Sequence, residues 1–492
     1  MSSSIRGRYA PMLILALTAL IPYILVASAA PLYREGLARD LGTSESALTI
    51  VEQLSVAGYA FGALLAGDLI QRVAQRNLFY AGQALLVVGW ALAAVGTDLP
   101  TYGAGFVLAG FATGTLLVTA LPPVMRRFPA SHLPVSAASV NIAFFGAVAA
   151  GPLLGGAIAS ATAWHLLYAG LAVIGVLNGI LAAMSLPRIE AFNPGLPFDF
   201  AGIVLGFAAT VLPFWASGEL SRHGFGTLIV AVPLAVGLVA FVAMLLVEYH
   251  KAEPLSPVAK MWNAFPIIGT LLAMFGGAAF FTFLELAAQF RVQVAHASPL
   301  AAGLTFWPQV AGAVTTAVLL GVVFRTRYLS LLAYAGMALL VAGGAILVLF
   351  DINNSQAQIL AAVGLLGLGA GATVSPGLFL AGLALPSQLL GRIFALVELV
   401  RSVADFMLAP VMIRVARNAS STGPTTLDSG GLHQAMWITL LITLGGTIIV
   451  IALHMLSGAG LPRPDLERWL ANKGPAIPSP LLLARLRRKM AA

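Results

Sequence analysis

The sequence predicts an all-α integral membrane protein with about fourteen transmembrane helices, set out as two six-helix pseudo-symmetric bundles and two inserted helices. Three observations predict it. The 492 residues are 59% hydrophobic and only 9% charged, where soluble proteins carry about 25% charged residues. The chain divides into about fourteen apolar runs, each of the roughly 20 residues that a helix needs to cross a bilayer. A ten-residue stretch of the third run, Tyr80 to Gly89 (YAGQALLVVG), recurs in the eleventh as Tyr334 to Gly343 (YAGMALLVAG), with eight positions shared.

The runs fall at about 10–31, 47–70, 77–97, 101–124, 134–160, 163–186, 199–217, 226–248, 263–290, 299–323, 328–350, 356–381, 393–413 and 432–457. The first follows Arg6 and Arg8 and contains Ala27-Ser28-Ala29, which resembles a signal-peptidase site. Its spanning length marks it as an uncleaved first helix. Short loops make neighbouring helices antiparallel, and charge then sets the orientation. With both termini cytoplasmic, inner segments hold about 19 basic residues and outer loops about six, namely Arg34, Arg39, Arg222, Arg291, Arg414 and Arg417. The reverse orientation violates the positive-inside rule. The repeat pairs helix three with helix eleven, so the expected domains are 1–190 (first six-helix bundle), 191–260 (two inserted helices and linkers) and 261–460 (second bundle). Residues 461–492 are expected to form a basic amphipathic tail on the cytoplasmic leaflet, ending in a helix over 481–489. Parallel repeats of this kind are a transporter construction with the substrate site between the halves.

The charge of +8 points to anionic lipid and topology, not to nucleic acid, because the basic residues sit in short loops between apolar runs. The absence of cysteine excludes disulfides, thiol catalysis and cysteine-ligated metals. No HExxH, GxSxG or P-loop pattern is present, which argues against a multispan enzyme or an ATPase. No metal site and no cofactor are expected. A sensor would be expected to carry a soluble output domain.

Residues 389–418 stand apart, because a run of spanning length there carries Glu398, Arg401 and Asp405. At 100° per residue, Arg401 lies about 60° and Asp405 about 20° around the helix from Glu398. One face therefore holds all three. Each charge at mid-bilayer costs roughly 2.5–3.5 kcal/mol, so this face looks into protein or water. Two roles stay open: a face that lines a pathway, or a salt-bridged triad that locks helices together. One arginine does not neutralise two carboxylates, which favours the pathway for at least one of them.

The fifth run contains Gly151-Pro152-Leu-Leu-Gly155-Gly156. Proline kinks a helix and glycine lets a neighbour approach closely. This sequence resembles the motif of the fifth helix in the fourteen-span drug:proton antiporter branch of the major facilitator superfamily. The resemblance continues at Phe198-Asp199-Phe-Ala-Gly202, at Glu248 with Pro254, and at Ser298-Pro-Leu-Ala-Ala-Gly303. It implies two bundles that alternate access to a site between them, proton coupling, and export of amphipathic or cationic small organic compounds. It also implies an inner-loop latch at Gly67, Asp68, Gln71, Arg72 and Arg76. That loop departs from the family pattern. Gln71 replaces its Asp and Ala74 its second Gly, with Asp68 about one helical turn away. In the fourth helix Phe106 and Ala109 precede Gly110, so the arginine that the family uses in coupling is missing. Arg401 corresponds to a recurrent arginine of the thirteenth helix.

Coupling requires an acid whose charge changes as access alternates. Burial raises a carboxyl pKa and a nearby arginine lowers it. The candidates are Glu285, Glu398, Asp405 with Arg401, and Glu52. Glu285 is the first choice, since the residues flanking it are apolar; its alternative role is a hydrogen-bonded packing carboxyl. Glu52 lies near an outer helix end and is expected to meet water. The expected partners are a small-molecule substrate and the lipid bilayer of the plasma or inner membrane, with the chain acting as a monomer. The alternative within transport is an exporter of one endogenous metabolite with weak or no proton coupling.

Overall fold

The computed structural model describes residues 5–161, 163–187, 191, 193–195, 197–251, 254–349, 356–421, 423 and 427–482. Thirteen helices among them are long and apolar enough to cross a membrane. They are α1 Tyr9–Asp40, α2 Glu45–Arg72, α3 Gln75–Val95, α4 Leu99–Arg126, α5 Ala130–Ala161, α6 Trp164–Ser185 and α7 Phe200–Glu219. After them come α8 Leu228–His250, α9 Ala264–Val294, α10 Pro299–Val323, α11 Leu329–Leu349, α12 Gln356–Leu383 and α14 Ser429–Ser457. A further 30-residue helix, α13 Leu390–Ala419, carries the charged stretch. A short α15 follows at Leu466–Leu470. The fourteen long helices coincide with the fourteen apolar runs, and the chain is a multi-pass membrane protein. Two helices outrun their apolar cores. Helix α1 continues to Asp40 and α13 to Ala419, so Arg34, Arg39, Arg414 and Arg417 are helical residues and not loop residues.

Helix starts follow local chemistry. Ser44, Asp98, Asp199, Ser298 and Asp428 each accept a hydrogen bond from a backbone N–H of the first turn of α2, α4, α7, α10 and α14, as N-caps do. Two π-helical segments interrupt the α geometry, Ile142–Gly146 within α5 and Phe290–Val294 at the end of α9. Such bulges concentrate at functional sites.

Two compact units divide the chain. The first holds residues 1–128, 158–258 and 391–399; the second holds 129–157, 259–390 and 400–492. This partition differs from bundles of 1–190 and 261–460, because most of α5 groups with the second unit and the first turns of α13 with the first.

In the first unit α4 packs against α1, α2 and α3, while α6 packs against α1 and α3. In the second unit α12 packs against α9, α10 and α11, while α14 packs against α9 and α11. The two patterns match when each helix is advanced by eight places, the same offset that relates Tyr80–Gly89 to Tyr334–Gly343. Within the first unit α7 packs against α2 and α8. Helix α8 leaves most of its surface open to lipid, with Val232, Val239 and Leu246 all more than half exposed or nearly so.

The tail differs from a free amphipathic segment over the part described. Trp469 of α15 is fully buried and donates Nε1–H to the Leu385 carbonyl at 2.9 Å. The amides of Ala476 and Ile477 bond the Leu383 carbonyl at 2.8 and 3.0 Å. Ser479 Oγ and the Pro480 carbonyl accept the first amides of α9, from Phe265 and Ala264. Residues 465–480 thus form an ordered strap across the α12–α13 connection and the start of α9. The basic residues Arg485, Arg487, Arg488 and Lys489 lie outside the described residues, as does Arg188.

Candidate functional site

The charged face of α13 is buried. Glu398 is 3% exposed, Arg401 6% and Asp405 0%. Within the second unit the Arg401 guanidinium pairs with Asp405 one turn on, the i,i+4 spacing that a helix provides. The Asp405 carboxylate lies against the backbone of α9 at Gly277. A methyl group there would come within 2.3–2.6 Å of the carboxylate atoms, so only glycine leaves room for the acid.

Glu285 stands two turns farther along α9, about 12 Å from Gly277 at 1.5 Å per residue. It is half-buried, and Gln289 Nε2 donates to its Oε1 at 3.0 Å. The two candidate acid positions of the second unit therefore occupy different depths. A neutral amide faces one and a cation the other.

The Gly-Pro motif of α5 makes close backbone contact in the same unit. Gly151, Pro152, Gly155 and Gly156 are buried. A Cβ on Gly156 would fall 2.5 Å from the Pro299 carbonyl oxygen, so α5 rides directly on the first turn of α10. Buried Gln309 of α10 donates to the Ala149 carbonyl at 2.9 Å. Asn141 Nδ2 donates to the Gly371 carbonyl of α12 at 3.1 Å, where the π segment begins.

In the first unit Glu52 does not simply meet water. Arg34 of α1 grips it with both Nε and Nη2, at 3.0 and 2.7 Å. Beside this pair the hydroxyls of Tyr33, Tyr168 and Tyr102 form a buried chain with steps of 2.9 and 2.8 Å. Phe106, at the position of the family's missing arginine, packs among Tyr23, Trp90, Tyr102 and Tyr168. That aromatic cluster leaves the position apolar.

The inner-loop motif is also built. Asp68 is buried and pairs with Arg72. Arg72 also donates to the Pro197 carbonyl and lies over the Phe198 ring, 4.8 Å from its centroid. Gly67 faces Ala395 of α13, where a Cβ would be 3.2 Å away. Arg76 donates to Tyr80 at 2.7 Å, and the Gln71 carbonyl accepts the Asn193 amide.

Sequence reasoning missed the next layer. Lys251 bridges Asp199 and Glu248, and Arg392 Nε donates to the Leu255 carbonyl at 3.2 Å. Only the Glu248–Lys251 spacing of three signalled part of it. The Asp199 partner is 52 residues from Lys251.

The family profile described as Major Facilitator Superfamily matches residues 15–409. The multidrug transporter mfsC of Aspergillus fumigatus is 25% identical over 58% of this chain and 55% of its own. The puromycin resistance protein pur8 of Streptomyces alboniger is 27% identical over 80% of each chain. This chain spans about half the length of several curated relatives that it matches. The proton:xylose symporter XylE has a similar fold, with a TM-score of 0.61 at 14% identity, covering 90% of this chain and 95% of that one. A profile running through most of the chain, joined to fourteen long helices with a repeated packing plan, places this protein in the major facilitator superfamily.

Proposed function

We propose that this protein is a secondary active transporter that exports amphipathic or cationic small organic compounds in exchange for protons. It works by alternating access in the plasma or inner membrane, with both termini cytoplasmic and the halves drawn from residues 1–190 and 261–460. The burial of Glu398 and Asp405 in one membrane helix carries this reading. An acid shielded from water changes charge only when a conformational change exposes it, and that is the event alternating access requires. A cation beside these acids favours their ionised form, so any movement of Arg401 relative to Asp405 changes how readily a proton or a cationic cargo is taken up there. Relatives named for multidrug efflux or antibiotic resistance support the cargo class.

The aromatic packing of Phe106 favours a second reading. Without the family's arginine in α4, the chain would export one endogenous metabolite with weak or no proton coupling.

Proteoliposomes with an imposed proton gradient and a fluorescent organic cation test both. The protein is expected to accumulate the dye. Among Glu285→Gln, Glu398→Gln and Asp405→Asn, at least one is expected to lose gradient-driven accumulation while retaining dye exchange at equilibrium. If all three keep gradient-driven accumulation, the coupling assignment fails. If the intact protein moves no organic cation under any gradient, the single-metabolite reading replaces the first.

A further inference from the structure

The inner-loop network contains two acids that share one spot. Asp199 caps α7 and Glu248 lies near the end of α8; their side chains are 8% and 0% exposed. A Cβ on Gly202 would lie 2.8 Å from both Asp199 Oδ2 and Glu248 Oε1, so both oxygens border the same small gap. Among the described residues Lys251 is the ammonium beside them, bonding Asp199 Oδ1 and, at 3.1 Å, Glu248 Oε1. The Gly202 amide takes Asp199 Oδ1, and the Ser256 amide takes Glu248 Oε2. That leaves Asp199 Oδ2 buried without a hydrogen-bond partner when both acids are ionised. Two buried carboxylates whose oxygens border one gap repel each other, and such a pair relieves the repulsion by keeping one proton. The proton would also supply the missing bond to Asp199 Oδ2.

We propose that Asp199 and Glu248 form a proton-binding site at the ends of α7 and α8, separate from the acids of α9 and α13. Burial pushes the Asp199 carboxyl up, but Lys251 and the Gly202 amide outweigh it and hold it below the usual carboxylate range. Asp199 is therefore the anion, and the proton resides on Glu248 and points to Asp199. Release of that proton to water leaves Lys251 facing two carboxylates. Among the described residues, Asp68 of α2 interacts with Asp199 and is itself flanked by Arg72 of α2 and Arg392 of α13. Arg72 docks on Pro197 and Phe198, immediately before Asp199. Charge at the site thus bears on the inner-loop motif through two residues of backbone.

Infrared difference spectroscopy of the full-length protein in lipid nanodiscs, titrated with pH, tests the proposal. The intact protein is expected to show a protonated-carboxyl band that disappears on alkaline titration. Glu248→Gln should remove that component, while Glu285→Gln and Asp405→Asn should keep it, which separates this site from the transport acids. A band that titrates identically with and without Glu248→Gln overturns the proposal. If Glu248→Gln fails to fold, Lys251→Met decides. Removing the ammonium should move the titration to higher pH by about one unit or more, and an unmoved titration overturns the proposal equally.

Discussion

At the level of single residues, the Arg34–Glu52 pair shows what burial does to an acid that looked ordinary. Glu52 and Arg34 side chains are 17% and 13% exposed and share two hydrogen bonds. Glu52→Gln leaves a guanidinium largely out of water without its anion, and is expected to destabilise the protein by about 1–3 kcal/mol. The double change Arg34→Gln with Glu52→Gln is expected to recover at least half of that loss, because no orphan charge remains. Thermal unfolding of the purified protein checks this; a double variant no more stable than Glu52→Gln alone would mean that the pair carries no coupling. The pairing was not visible in the sequence, because it depends on α1 continuing past its apolar run to Asp40. Asp405 teaches the complementary lesson. Its helix face follows from spacing, which allows Arg401 to pair with either Glu398 or Asp405, whereas the pairing with Asp405 and its seat against Gly277 of α9 required coordinates.

Among the helices, the Gly-Pro motif of α5 is a device for close approach. Its partner, the first turn of α10, is held by a Ser298 cap and begins with Pro299. Gly156→Ala would drive a methyl group into the Pro299 carbonyl, and such overpacking costs about 1–3 kcal/mol. The expected result is a lower unfolding temperature together with reduced transport. Gly170→Ala on α6 is the control, since nothing lies within 4 Å of the added methyl. It should leave stability unchanged or raise it by up to about 1 kcal/mol through helix propensity. Equal losses in the two variants would show that the α5–α10 approach is not what the glycine serves. The sequence marked this motif as a bendable, tightly packed contact but named no partner. The π segment just before it went unnoticed, because a one-residue widening of a helix leaves no periodic signature.

For the whole molecule, orientation is the property that charge asymmetry predicts most directly. The chain has no cysteine, so single cysteines can report on sidedness. Thr97, between α3 and α4, and Ser131, at the start of α5, are both exposed. A membrane-impermeant maleimide added to intact cells is expected to label Thr97→Cys and spare Ser131→Cys, with the reverse in inside-out vesicles. Labelling of Ser131→Cys from outside would invert the topology and with it the direction of export.

The sequence by itself determined the number of membrane helices, their places in the chain, the family, and the candidate acids of α13. The bilayer makes that possible, because it tests each segment of about 20 residues on its own hydropathy. Tertiary structure alone decided which groups meet: Arg34 with Glu52, Lys251 with Asp199, Asp405 with the glycine of another helix, and Trp469 with the α12–α13 connection. Those outcomes depend on ångström distances between residues far apart in the chain. In a low-dielectric interior such distances set whether a charge is held, shared or left to take up a proton.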